Sequence, residues 1–167
     1  MRYLVLILLP FLSIFLQSTL FGFYPIKGAL PDLILIFVVF LALLNKPRNA
    51  FFYGFLCGLL EDLYIGSFIG INALAKGATA YLISRLGRNV FKDNILIGII
   101  TVMFGTIING VFLVLLSLIS YNVFHLDINI LPNMLYQSIY NILLATPIYA
   151  WYYHSTKDGV LRPYGGR

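Results

Sequence analysis

Five polar side chains stand in stretches otherwise apolar enough to lie in a lipid bilayer: Asp32, Glu61, Asp62, Asn72 and Lys76. Glu61 and Asp62 are adjacent, in CGLLEDLYIG at residues 57–66. A charge at the centre of a bilayer costs roughly 2.5–3.5 kcal/mol on insertion-based scales. The whole chain has only six acidic residues, so placing two of them there needs a reason. Acid–base chemistry would want two groups flanking a substrate, whereas neighbouring helical positions point about 100° apart. Ion pairing needs only a cation within reach, and Lys76 supplies one. No serine or cysteine nucleophile stands beside a histidine base by any sequence argument. Cys57, the single cysteine, excludes an internal disulfide and a Cys-cluster metal site and suits a small packing position. Neither catalytic residues nor cofactor or metal ligands are expected, and the chain is read as no enzyme.

The surrounding elements must hold these groups in lipid. Of the 167 residues 60% are hydrophobic and only 10% charged, with a mean hydropathy of +0.92. A soluble domain carries about 25% charged residues, so too few polar groups remain here to cover a globule in water. The 14 Phe and 12 Tyr suit segments that end at bilayer interfaces. The runs are too long for the alternating strands of an outer-membrane barrel. Hydropathy predicts an all-α integral membrane protein of six spans, at about 3–21, 30–44, 50–65, 70–86, 95–120 and 131–153. These form one domain over 1–154, with a loose cytoplasmic tail at 155–167. The first span resembles a signal peptide at its start, but its core is long and no A-x-A-type cleavage site follows, so a retained span is expected. Pro10 is expected to kink it.

Basic residues set the expected orientation. Arg2, Lys46, Arg48, Arg85, Arg88, Lys92, Lys157, Arg162 and Arg167 fall on one side, nine in all, against Lys27 alone on the other. By the positive-inside rule both termini face the cytoplasm. The net charge of +5 is thereby a topology signal, and nucleic acid is not an expected partner. His125 and His154 fall on opposite sides, where they cannot share a metal.

In this frame the third and fourth spans form a hairpin closed on the outside. At about 1.5 Å rise per residue, Asp62 lies roughly 6 Å, Glu61 roughly 7 Å and Lys76 roughly 9 Å below the outer end. One carboxylate can pair with Lys76 while the other meets another helix, the headgroups or a partner. Such a pair either fixes hairpin register or serves partner contact or substrate handling. Close helix packing is expected at Gly54, Gly58, Gly66, Gly70, Gly77 and Gly105, and Asn72, Asn109 and Asn141 are candidates for hydrogen bonds across helices. Pro31 and Asp32 suit the first turn of a helix, where a carboxylate meets the positive end of the dipole.

The stretch GFLCGLLEDLYIGSFIGINALAKGATAYLISRL resembles the family of the rod shape-determining protein MreD. Gly58, Asp62, Gly66, Gly70, Asn72 and Ala73 meet the family's pattern of glycine, acidic residue, Gly-bounded turn and Gly-x-Asn-Ala. Pro31, Asp32 and Leu33 look like its second-span opening, and Gln17 like the glutamine closing its first span. The resemblance implies a non-enzymatic adaptor in the bacterial inner membrane, bound directly to MreC. MreB, RodA and a class B penicillin-binding protein would complete the wider complex, which positions lateral peptidoglycan synthesis and maintains rod shape. It further implies a polar hairpin core of Asp62, Asn72 and Lys76, with Asp32 as a second, outward-facing contact point and Glu61 less characteristic than Asp62.

A second family is similar in span count and size: the substrate-binding S components of energy-coupling-factor transporters, which take a vitamin or metal. Glu61, Asp62, Asn72 and Lys76 would then line the pocket. Such components dock through an Ala-x-x-x-Ala-type face on the first span, yet residues 3–21 contain neither alanine nor, before residue 22, glycine.

Overall fold

The computed structural model describes residues 2–25, 27–66, 69–87, 95–121 and 130–157. The outer segment around His125, the loop residues Arg88 and Lys92, and the tail from residue 158 lie outside these. Six helices occupy the six apolar segments: α1 (Arg2–Thr19), α2 (Leu33–Leu44), α3 (Pro47–Ile65), α4 (Ile71–Leu86), α5 (Ile95–Tyr121) and α6 (Ile130–Lys157). No strand occurs among the described residues. Two stretches, Leu6–Phe23 and Leu96–Ile119, are long and apolar enough to cross a membrane by themselves.

The helix α2 is the exception in length. It has 12 residues, so it rises only roughly 18 Å, well short of a hydrocarbon core of about 30 Å. All 12 are apolar and ten are buried. Such burial leaves the unpaired backbone groups at its two ends away from solvent, so protein must supply their partners. At the start, Asp32 Oδ1 accepts a hydrogen bond from the Leu35 amide at 2.8 Å. At the finish, Asn45 Nδ2 donates to the Leu41 carbonyl at 2.8 Å, and Ser84 Oγ donates to the Asn45 carbonyl at 2.6 Å. The flanking residues of α2 supply two of these partners and α4 the third, and α2 packs against each of the other five helices.

Around this centre α3 and α4 form the most closely packed pair, antiparallel and nearly in backbone contact. Proline explains why α3 starts at Pro47, ahead of the expected residue 50. It fixes φ and its missing N–H is one that the first turn would leave unpaired. A Cβ on Gly54 would lie 2.7 Å from the Lys76 carbonyl oxygen, and one on Gly58 would lie 2.7 Å from Ala73 Cα while meeting the Asn72 carbonyl. Gly77 faces Phe51 and Phe55, and Gly105 faces Val39 on α2. Gly66 and Gly70 act differently from the other expected packing glycines. Each has a left-handed backbone, φ 73° and 113°, and nothing within 4 Å of a built Cβ, so they shape the turn between α3 and α4.

The segment leading into α2 is fastened to α6. Tyr140 Oη donates to the Tyr24 carbonyl at 3.1 Å and Gln137 Nε2 to the Leu30 carbonyl at 3.3 Å. Lys27 Nζ donates to Tyr136 Oη at 3.0 Å and lies 4.9 Å from its ring centroid. That hydrogen bond holds the Lys27 ammonium above its ordinary pKa.

Candidate functional site

Lys76 is fully buried, one turn and a half into α4. Its ammonium meets two carboxylates, Asp32 Oδ2 at 2.5 Å and Glu61 Oε2 at 2.8 Å. Three elements therefore converge on one cation: the start of α2, the last turns of α3 and the body of α4. Asp32 performs two tasks with its two oxygens, capping α2 through Oδ1 and pairing with Lys76 through Oδ2. Its backbone amide donates to Asn141 Oδ1 at 2.8 Å, and Asn141 Nδ2 donates to Thr106 Oγ1 at 3.0 Å. The charged cluster is thus tied to α6 and α5 as well. Asp32 is only 6% exposed. Asp32, expected as an outward-facing contact point, is buried at the start of α2, where it caps that helix and pairs with Lys76.

Asp62 stands apart from this cluster although it follows Glu61 directly. Its Oδ2 accepts from the Gly70 amide at 2.8 Å and the Ala73 amide at 3.0 Å. Its Oδ1 accepts from the Asn72 amide at 3.1 Å and from Asn72 Nδ2 at 2.9 Å. One carboxylate from α3 therefore satisfies the amides that open α4, and its charge faces the positive end of that helix dipole. Register explains the division of labour. Gly54 sits against Lys76 and Gly58 against Asn72, four residues up α3 for four residues back along α4. Four more residues up α3 reach position 62, which must then meet the start of α4 and not Lys76. Glu61 lies about 100° around the helix and points toward α2 and Lys76.

Among the residues expected to hydrogen-bond across helices, Asn72 and Asn141 do so, whereas Asn109 is buried with no donor to its Oδ1. The roles of Asn141 and Thr106 in the cluster were not legible beforehand, since they depend on which faces of α5 and α6 turn toward α2. Asp32 and Glu61 also line a cleft of about 410 Å³ with Gln17, Tyr64 and Gln137. Two carboxylates and one ammonium leave the cluster with a formal charge of −1, so it presents acceptors to anything entering the cleft. The arrangement can hold a cation or a hydrogen-bond donor, and it ties α2, α3 and α4 to one another, with α5 and α6 joined through Thr106 and Asn141.

A family model described as rod shape-determining protein MreD matches residues 1–156, nearly the whole chain. The chain belongs to the MreD family. No curated protein and no solved structure matches it at significance. Family membership places the protein among the membrane-associated components of rod-shape determination. In this chain the residues Gly58, Asp62, Gly66, Gly70, Asn72 and Ala73 make up one physical device. Gly58 lets the backbones touch, Gly66 and Gly70 turn the chain, and Asp62 caps the helix that Asn72 and Ala73 begin.

Proposed function

We propose that this protein is a non-enzymatic adaptor of the bacterial elongation machinery, bound directly to MreC in the inner membrane. With MreB, RodA and a class B penicillin-binding protein it would position lateral peptidoglycan synthesis and so maintain rod shape. The match to the MreD family over residues 1–156 carries this reading. All six helices would cross the membrane, with both termini in the cytoplasm, as the nine-to-one distribution of loop Lys and Arg favours. The short α2 fits that topology because its ends are completed by protein groups.

The charged cluster has a clear part in this reading. Asp32, Glu61 and Lys76 would lock the outer ends of α2, α3 and α4 into the surface that a partner recognises, while Asp62 and Asn72 hold the hairpin itself. Chain outside the helices is scarce, so partner contacts would be made mostly within the bilayer or at its surface. An S-component role keeps only span count and size in its favour.

Co-purification in mild detergent tests the adaptor role. Tagged protein is expected to retain tagged MreC from the same organism, and Lys76→Met at normal abundance is expected to retain less. Absence of MreC from the wild-type eluate, beside a working positive control, would contradict the proposal.

A further inference from the structure

Two cavities lie end to end along the seam between α1 and α3, helices that pack against each other only sparsely. The outer one, of about 410 Å³, has Ile14, Gln17 and Ser18 of α1 opposite Glu61, Tyr64 and Ile65 of α3, with Asp32 beside them. The inner one, of about 660 Å³, continues the seam with Leu6, Pro10 and Phe11 opposite Leu56, Leu60 and Leu63. Its lining is mostly apolar, with Asn45 and Asn49 at the end near the start of α3, and Tyr53 donates from Oη to the Leu6 carbonyl at 3.0 Å. The seam is therefore amphipathic along its length, polar at one end and oily below.

The polar end holds an acceptor with no donor and an excess of carboxylate over ammonium. Gln17 Oε1 is shielded from solvent and receives no hydrogen bond. Asp32 and Glu61 share the single ammonium of Lys76, so one negative charge is left over. Gln137 commits one of its two amide N–H groups to the Leu30 carbonyl. A buried acceptor without a donor is costly, and a charge-assisted bond to it recovers that cost.

We propose that the α1–α3 seam binds a phospholipid with a primary-amine headgroup. The ammonium enters the outer cleft, where it donates to Gln17 Oε1 and the Glu61 carboxylate, and an acyl chain lies in the apolar trough below. A primary ammonium brings three N–H donors and the missing positive charge. A choline headgroup has the charge but no N–H, and a phosphoglycerol headgroup adds negative charge to a site that already has an excess. The inference rests on the membrane embedding proposed above, but it is read independently of MreC capture.

Native mass spectrometry of the delipidated full chain, titrated with ethanolamine, glycerol and choline phospholipids of identical acyl chains, tests it. The ethanolamine lipid should be retained about tenfold better than either of the others, the equivalent of one charge-assisted hydrogen bond. Gln17→Leu and Glu61→Gln should each remove most of that preference, and Gln17→Leu leaves the Lys76 ion pairs untouched. Ile14→Trp, which fills the cleft, should lower retention of all three lipids. Equal retention of the three by the wild type, which would mean binding through the acyl chain only, overturns the proposal. So does a preference that survives both Gln17→Leu and Glu61→Gln.

Discussion

Glu61 and Asp62 are neighbours in the chain and opposites in their surroundings. Asp62 is closed off, with four donors on its two oxygens, all from the first residues of α4 and the Asn72 side chain. Glu61 belongs to a three-charge cluster that is locally unbalanced and borders a cleft. A rotation of about 100° along one helix separates a structural carboxylate from one available for other work. The difference teaches that an acidic pair in one helix need not act as a pair.

Substitutions can break this comparison in order of size. Lys76→Met should be the most damaging, because it leaves two carboxylates buried against each other without a cation. Breaking a buried pair in this way destabilises by about 3–5 kcal/mol, to be read as loss of folded protein in detergent unfolding. Asp62→Ala comes next at about 1–3 kcal/mol, since it removes the acceptor of the amides that open α4, most of which are only partly buried. Asp62→Asn should lose less, because its amide oxygen still accepts from the helix. Gly58→Ala should follow at about 1–3 kcal/mol, as the added methyl meets the Asn72 carbonyl and α3 must move away from α4.

Glu61→Gln should be the mildest of the series, below about 1 kcal/mol in stability, because Lys76 and Asp32 remain as a neutral pair. Its larger consequence is expected in ligand or partner retention. A loss of stability from Glu61→Gln as large as that from Lys76→Met would remove the distinction between the two carboxylates.

Much of the architecture was legible because hydropathy reports it directly. Long apolar runs broken by Lys and Arg place six helices, and PDL and the Gly-bounded turn mark where helices begin. The depth of the charges was also legible, since rise per residue alone brings Glu61, Asp62 and Lys76 to similar levels. Which carboxylate faces Lys76 was harder, because both lie at that level and only helix rotation separates them. A clue existed in the spacing of Gly54, Gly58 and Asp62, which share one face of α3. Had Gly54 been matched with Lys76, position 62 would have fallen at the start of α4. Asp32 escaped for a different reason. Its place depends on α2 being shorter than a span and surrounded by protein, a property of the other five helices and not of its own sequence. Gln17 resembles the glutamine that closes the family's first span, a likeness that says nothing of its unpaired acceptor.

The most direct test is a pair of double-mutant cycles on unfolding in detergent, one combining Glu61→Gln with Lys76→Met and the other Asp62→Asn with Lys76→Met. The first should show a coupling energy of about 0.5–3 kcal/mol, as expected for residues in contact, and the second a value within about 0.5 kcal/mol of zero. Coupling of Asp62 to Lys76, with none between Glu61 and Lys76, would contradict the division between cap and charged cluster.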